Sequence, residues 1–259
     1  MKERVRVMGI GLDSVTQEEA IEQVVRWMLA DEHPGRHIVT ANPEMVMAAL
    51  ADPALADVLQ RADLVVADGI GLVWASRMLG APVPERVAGI DLTEALLARA
   101  AELGWRVFLL GAEPGVAEQA AAKLTQRCAG LQIVGTHHGY FSRDEENALV
   151  ATIEESDADL VLVAMGVPRQ ELWIDRMRPR LPVRVWIGVG GAFDVFAGKV
   201  RRAPHWVQRI GFEWFYRIAQ DPRRRLKRAL VLPRFAVRVL AERWAARRQR
   251  RFGKGTERR

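Results

Sequence analysis

The sequence predicts an α/β protein in which a mostly parallel, Rossmann-like sheet has helices on both faces. Short and almost wholly apolar runs alternate with stretches of helical periodicity over most of the chain. A strand buried on both faces gives such a run, and a helix between two strands lets them lie parallel. A basic segment follows the last of these elements and adds a helical C-terminal appendage to the predicted fold.

The predicted strands are the short apolar runs. They are too short for buried helices and are separated by residues that favour turns. In chain order they are Val5–Ile10, His37–Ala41, Leu64–Ala67, Arg106–Leu110, Gln132–Thr136, Leu160–Ala164 and Arg184–Gly188.

The predicted helices are the longer stretches that connect these strands. Strand–helix–strand alternation is typical of a parallel sheet covered on both faces. In chain order the helices are Gln17–Leu29, Pro43–Asp52, Gly69–Met78, Leu92–Leu103, Gly115–Cys128, Arg143–Glu155 and Gln170–Met177.

Charge divides the chain into two parts. Residues 199–259 contain 20 of the 38 Lys and Arg residues but 4 of the 32 Asp and Glu residues, so the rest of the chain is acidic although the net charge is +6. This asymmetry indicates a polyanionic partner, for which membrane headgroups and nucleic acid are the two candidates. We therefore expect an α/β body over residues 1–198 and a basic amphipathic helical appendage over residues 199–259.

Glycine-bearing or polar junctions follow five of the predicted strands. Ligands of parallel sheets bind beyond the carboxyl ends of the strands, where glycine permits close backbone approach and helix N-termini attract phosphate. Glycine and proline also simply punctuate turns, which suffices for any single junction. Five junctions at one edge together favour a nucleotide or nucleotide-sugar pocket. They are 40–43, 68–71, 111–115, 165–170 and 188–191.

Several other kinds of site are disfavoured. The chain has no GxxxxGK[ST] motif, and Gly9 and Gly11 are not followed by the third glycine of a dinucleotide fingerprint. No metal-ligand cluster accompanies His137 and His138. Cys128 is the only cysteine, which excludes an intramolecular disulfide and a multi-cysteine metal cluster. Neither a metal ion nor a cofactor is expected.

Asp68 is the residue whose position best suits chemistry. It follows the apolar run Leu64–Ala67 and precedes Gly69, which places its carboxylate at the carboxyl end of a strand beside a helix N-terminus. A carboxylate there can deprotonate an attacking hydroxyl, or it can cap the helix. Position alone does not distinguish these two roles.

Three further side chains also have two interpretations each. Arg86, in a loop after two prolines, either clamps a phosphate or is a solvated loop charge. Gln170 either hydrogen-bonds to sugar hydroxyls or is an ordinary residue at a helix start. Asn42 either caps a helix or contacts the ligand.

Seven sequence blocks, taken together and in order, resemble the WecG/TagA/CpsF glycosyltransferases, a family that includes the N-acetylmannosaminyltransferases of wall teichoic acid and enterobacterial antigen synthesis. The resemblance runs from about residue 5 to residue 230. It implies an inverting, metal-free transfer of a hexosamine, best known as N-acetylmannosamine, from a UDP-sugar to undecaprenyl-diphosphate-linked N-acetylglucosamine. The blocks are TANPEM, VADGIGLVWASR, ERVAGIDL, FLLGAEPGVAE, MGVPRQE, GVGGAFDVFAGKVRRAP and EWFYRIAQDPRRRLKR.

The resemblance also implies roles for particular residues. Asp68 would be the general base for the acceptor hydroxyl, and the reaction would need no metal ion. Arginines and helix N-termini would then stabilise the leaving diphosphate. The residues implied in donor binding are Thr40, Asn42, Arg86, Gly111, Gly166, Gln170 and, as the weaker candidate, Asp194.

The appendage combines aromatic and basic residues, which suits a bilayer interface. Its pattern predicts one helix from Pro204 through Ala219 and a second around Arg234–Arg251. Packing of the apolar stripe on the body, with solvated arginines, is the alternative. In the family, basic residues of this appendage lie over the lipid diphosphate. The matching positions are Arg217, Arg224 and Lys227, although Arg225 and Arg228 share their spacing and leave the register open.

The expected location is cytoplasmic and peripheral on the inner face of the cell membrane. No run of 18 apolar residues occurs, and the N-terminus lacks the apolar region of a signal peptide. The expected partners are a UDP-sugar donor, a polyprenyl-diphosphate-linked sugar acceptor and an anionic membrane surface, without nucleic acid and with homo-oligomers left open. The alternatives are a nucleotide-binding regulatory or scaffold module and an NAD(P)-linked enzyme.

Overall fold

The computed structural model describes residues 4–31, 35–204, 216 and 230–253, and it confirms the predicted α/β class. One sheet has six parallel strands, and a two-stranded hairpin lies outside it. The strands are β1 (Val5–Val7), β2 (Ile10–Leu12), β3 (Arg36–Ala41), β4 (Leu64–Ala67), β5 (Arg106–Gly111), β6 (Gln132–His137), β7 (Leu160–Ala164) and β8 (Val185–Gly188). The helices are α1 (Gln17–Leu29), α2 (Pro43–Ala49), α3 (Pro53–Arg61), α4 (Ile70–Leu79), α5 (Gly89–Leu103), α6 (Val116–Arg127), α7 (Arg143–Glu155), α8 (Arg169–Met177), α9 (Ala192–Phe196) and α10 (Val231–Gly253).

The sheet separates two apolar layers. On one face the strand side chains pack against α1, α5, α6 and α9. On the other face α2, α3, α4 and α10 share one cluster, and α7 and α8 share a second. Because the central strands are buried on both faces, their sequences are continuous apolar runs instead of alternating patterns.

The first predicted strand, Val5–Ile10, is wrong because the chain reverses within it. Met8 and Gly9 have φ angles of 50° and 82°, and β1 pairs with β2 in the antiparallel direction. Two central residues with positive φ suit the twist of a two-residue hairpin. Val7 and Ile10, on either side of the turn, both pack into the core. The apolar pattern therefore continues across the turn and hides it.

The predicted helix Pro43–Asp52 is also wrong in extent, because the chain forms two helices there. Helix α2 ends at Ala49, and Asp52 caps α3 by accepting hydrogen bonds from the backbone N–H groups of Ala54 and Leu55 at 3.0 and 3.3 Å. An aspartate before a proline is a typical helix start. The short helix α9 was not predicted either.

The strand order β4-β3-β8-β7-β5-β6 brings the predicted junctions to one edge of the sheet. Strands β5 and β7 are neighbours, but the chain continues from β5 outward to β6 and from β7 in the opposite direction to β8. Such a reversal of direction opens a crevice between the carboxyl ends of β5 and β7. Gly111 ends β5 at this crevice with a φ of 136°. A Cβ atom there would lie 2.4 Å from the carbonyl oxygen of Ala164, so no other residue fits.

Helix α10 lies in the predicted appendage, and its two faces differ. Phe235 and Val239 are buried in the cluster that contains α2 and α4. Exposed apolar side chains form an outward stripe on the helix and the residue before it, namely Leu230, Val237, Leu240 and Trp244. The domain boundary at residue 198 stays a prediction, and most of the predicted helix from Pro204 to Ala219 lies outside the described residues. No helix within the described ranges is long and apolar enough to cross a membrane.

His37 is a fully buried histidine at the opposite edge, where the strands begin. Neither of its ring nitrogens has a hydrogen-bond partner among the described residues. Burial lowers the pKa of His37 to about 3, with a further lowering by Arg178 and an opposing effect of Asp175 and Asp63. The imidazole is therefore neutral at physiological pH.

We expect replacement of His37 by Leu to remove a pH dependence of stability. The unfolded chain takes up a proton at this histidine below about pH 6.5, whereas the folded protein does so only near pH 3. The wild type thus loses stability at this group as the pH falls below 6.5. When the pH is lowered from about 7.5 to about 5, the difference in free energy of unfolding, His37→Leu minus wild type, should therefore increase by about 2 kcal/mol.

Urea unfolding of both proteins at the two pH values measures this difference. Other titrating groups are common to both proteins, so their contributions cancel. An offset between variant and wild type that does not change with pH would contradict the prediction.

Candidate active site

Asp68 lies directly after β4 at the carboxyl edge of the sheet and is half-buried. Its backbone N–H donates to the carbonyl of Ala41, the last residue of β3, at 2.7 Å. The N-cap position of α4 is occupied by Gly69 with a φ of 98°, so Asp68 does not hold the capping position. The role of this carboxylate as a base stays a prediction.

Arg86 is brought to the same end of the sheet by the loop between α4 and α5. The neighbouring Val87 donates its backbone N–H to the carbonyl of Ala67, the residue before Asp68, at 3.0 Å. Arg86 itself is half-buried. The backbones of Arg86 and Asp68 therefore lie close together at the end of β4. Phosphate binding by Arg86 stays a prediction.

Thr40 and Asn42 lie at the end of β3 and make internal contacts. The hydroxyl of Thr40 donates to the carbonyl of Gly188 at 3.2 Å, which ties β3 to β8. The side-chain oxygen of Asn42 accepts from the backbone N–H of Met45 at 2.9 Å, so this residue does cap α2. Contact of either residue with a donor sugar stays a prediction.

Gln170 joins two loops at the centre of the edge. Its Oε1 accepts from the backbone N–H groups of Gly166 and Gly190, at 3.0 and 3.2 Å, and its Nε2 donates to Glu171 at 3.1 Å. The side chain is 2% exposed. Both hydrogen bonds of the amide oxygen are therefore made within the protein. For the predicted contact with sugar hydroxyls, only the second N–H of Nε2 would remain as a donor.

Gly166 lies on the first of the two loops that Gln170 joins. Asp194 lies on α9, the helix that follows the second of these loops. No atom lies within 4 Å of the position that a Cβ on Gly166 would take, so a ligand can approach the backbone closely. The backbone carbonyl of Asp194 accepts from the N–H groups of Lys199 and Val200, at 2.9 and 3.1 Å, and its side chain is half-buried. A donor contact for either residue stays a prediction.

The predicted diphosphate-binding residues Arg217, Arg224 and Lys227 lie outside the described residues. Their register therefore stays open. Within the described ranges, no three His, Cys, Asp or Glu side chains come together as metal ligands.

Two ionisable residues, one buried and one half-buried, have roles that were not predicted from the sequence. Glu171 is fully buried, and burial raises the pKa of its carboxyl to about 7. Arg202 forms ion pairs with Asp91 and Glu94 of α5, which ties the segment after α9 to the body. Glu171 lies among polar residues at the start of a helix, where the sequence predicts exposure to solvent. The partners of Arg202 are more than 100 residues away in the chain. Neighbouring residues in the sequence therefore predict neither role.

An open groove of about 580 Å³ lies elsewhere, between α6 and the edge strand β6. Small and uncharged side chains such as Ala122 and Thr125 line it, and none of the residues discussed above borders it. The chemistry of the strand ends, and not cavity volume, therefore identifies the candidate site.

Known sequences similar to this chain are glycosyltransferases. The family described as "Glycosyl transferase WecG/TagA/CpsF family" matches residues 5–249. Relatives from Bacillus spizizenii and Bacillus subtilis are each 39% identical, over 81% and 82% of this chain and 80% and 82% of their own lengths. A relative from Staphylococcus aureus is 35% identical over 91% of this chain and 92% of its own length. All three are named N-acetylglucosaminyldiphosphoundecaprenol N-acetyl-beta-D-mannosaminyltransferase.

Proposed function

The chain belongs to the WecG/TagA/CpsF family of glycosyltransferases, and we propose on that basis that it transfers N-acetylmannosamine from a UDP-sugar to undecaprenyl-diphosphate-linked N-acetylglucosamine. The names of the relatives support the transferred sugar and the acceptor. A UDP donor, inversion at the sugar and independence of metal ions are the further parts of this proposal.

The structural observation that supports the proposed mechanism is the position of Asp68 beside the loop of Arg86. In the proposed mechanism the carboxylate of Asp68 removes the proton from the acceptor hydroxyl, whose oxygen attacks C1 of the donor sugar. The bond from C1 to the diphosphate oxygen breaks on the opposite side, and UDP leaves. A single displacement of this kind inverts the configuration at C1.

The charge that develops on the leaving diphosphate needs stabilisation. Arg86 supplies one fixed positive charge at the end of β4. Helices α6 and α8 begin just after Gly111 and Gly166, and the N-cap residue of neither helix makes a side-chain hydrogen bond. Their positive ends therefore support a phosphate site at the crevice. In the proposal, Thr40, Asn42, Gln170 and Asp194 shape the rest of the donor pocket.

The appendage is proposed to bring the enzyme to its lipid acceptor. The apolar stripe of α10 would insert into the headgroup region of the inner face of the cell membrane, and flanking arginines would contact anionic lipids. Arg217, Arg224 and Lys227 are proposed to bind the acceptor diphosphate. The enzyme would then work as a peripheral membrane protein with an α/β body over residues 1–198.

A donor panel tests this function directly. The purified protein is incubated with a short-chain lipid-diphosphate N-acetylglucosamine and, in separate reactions, UDP-N-acetylmannosamine, UDP-N-acetylglucosamine or UDP-glucose. We expect a disaccharide lipid with UDP-N-acetylmannosamine, detected by mass spectrometry, and the same rate in excess EDTA. A strict requirement for Mg²⁺ or Mn²⁺ would contradict the metal-free mechanism, and product formed only from another donor would contradict the proposed sugar.

A further inference from the structure

Glu171 is a buried carboxyl for which the proposed chemistry has no use. It lies in the first turn of α8 with no exposed surface, and its Oε2 has no hydrogen-bond partner among the described residues. Burial favours the neutral form and raises the pKa of this carboxyl to about 7, although the hydrogen bond from Gln170 opposes the shift. Because it has no exposed surface, the side chain cannot touch a substrate in this structure.

The contacts of Gln170 show what the carboxyl does. A backbone N–H can only donate, so the two bonds from Gly166 and Gly190 require the oxygen of the Gln170 amide to face the loops. The amide nitrogen then faces Glu171, whose Oε1 accepts from it at 3.1 Å. A flipped amide would place its nitrogen against two donors and its oxygen against the carboxyl. Glu171 therefore acts together with the two backbone donors and stabilises the one orientation in which Gln170 joins the loops.

Strand β8 leaves room for this pair because Gly188 has no side chain. A Cβ atom on Gly188 would lie 2.5 Å from Nε2 of Gln170 and 2.8 and 2.9 Å from the carboxyl oxygens of Glu171. The carbonyl of the same glycine accepts a hydrogen bond from the hydroxyl of Thr40. The unit of Gly188, Gln170 and Glu171, here called the loop brace, therefore connects the ends of three neighbouring strands.

The loop brace holds two loops whose glycine backbones are open at the carboxyl edge of the sheet. Gly166 and Gly190 follow β7 and β8, and no atom lies within 4 Å of the position that a Cβ would take on either residue. The backbones of both glycines are therefore open to the approach of a ligand at the centre of the edge. A change in the orientation of Gln170 would free both loops together.

We propose that Glu171 is a positioning residue that orients the Gln170 amide and thereby holds the β7–α8 and β8–α9 loops in the shape that binds the nucleotide of the donor. This inference deepens the proposed function and rests on it for the identity of the ligand. The residue needs only to accept a hydrogen bond, so a neutral amide of equal size should replace it.

Two substitutions separate this role from a general loss of structure. Glu171→Gln keeps the acceptor oxygen and the volume, and we expect UDP affinity and the KM for the donor to stay within about threefold of the wild type. Glu171→Leu removes the acceptor, and we expect both quantities to worsen by about tenfold, the worth of one hydrogen bond, with a smaller change in kcat. Glu154→Gln, at an exposed position of α7, is the matched control and should behave as the wild type.

A double-mutant cycle tests whether Glu171 acts through Gln170. If it does, Gln170→Leu combined with Glu171→Leu should bind UDP no more weakly than Gln170→Leu alone. Losses that multiply would show that the two side chains act independently and would overturn the proposal. A Glu171→Gln variant as impaired as Glu171→Leu would also overturn it, because the charge and not the hydrogen bond would then matter.

Hydrogen exchange gives a readout that does not depend on the donor. In Glu171→Leu, the amides of Gly166 and Gly190 should exchange at least tenfold faster than in the wild type, while the amides of β7 stay protected. Unchanged exchange at both glycines would overturn the role of Glu171 whatever the enzyme binds. Failure of the wild type to bind UDP would refute the proposed donor and leave the exchange result to decide the role of the brace.

Discussion

Replacing Asp68 by Asn is expected to lower kcat by about a thousandfold, because a general base contributes roughly 10²–10⁴-fold to such a transfer. The amide has the size of the carboxylate but cannot take the proton of the acceptor hydroxyl. Since Asp68 lies at the end of β4 and not in the N-cap position of α4, the change should leave the fold intact. UDP binding, measured by calorimetry, should therefore stay within about threefold of the wild type.

Asp57→Asn, at an exposed position of α3, provides the control for loss of a negative charge. A kcat of the Asp68→Asn variant within tenfold of the wild-type value would show that Asp68 is not the general base. A variant that no longer binds UDP would instead indicate that the carboxylate organises the donor pocket. A regulatory or scaffold module has no turnover to lose, so wild-type activity itself decides between the two functions.

Replacing Leu240 and Trp244 together by Glu is expected to weaken binding to anionic vesicles by about a hundredfold. The two side chains are 48% and 64% exposed and lie on the face of α10 that points away from the body. Inserting one such side chain into an apolar environment is worth roughly 1.5–3 kcal/mol, so partial insertion of two accounts for this factor. Sedimentation with phosphatidylglycerol vesicles measures the binding.

The matched control replaces Leu29 and Leu103 by Glu, since these leucines of α1 and α5 are 70% and 48% exposed. It adds the same charges on other elements and should bind vesicles as the wild type does, apart from a small electrostatic effect. Equal losses in the two double variants would show that only net charge matters. If the α10 variant bound vesicles as tightly as the wild type, the outward face of this helix would not be the membrane-binding surface.

The parallel sheet and the edge that carries the candidate site were predictable because they depend on local patterns and general rules. Apolar runs of strand length predict buried strands wherever they occur, and polar junctions after parallel strands meet at one edge in any such sheet. Asp68 could therefore be assigned to this edge from the sequence, whereas Arg86 follows no predicted strand and was placed beside it only by the family resemblance. The hairpin at Met8 and Gly9 could not, because core residues on both sides of the turn keep the apolar pattern unbroken.

The sequence by itself determined the α/β class, the candidate carboxylate and the basic appendage, since each follows from residue types at short spacing. The tertiary structure alone decided that the oxygen of Gln170 faces two loops, that Glu171 is buried beneath Gly188, and that Trp244 of α10 faces outward while Phe235 packs inward. The orientation of a side chain depends on partners that folding brings together from distant parts of the chain. No local pattern carries that information.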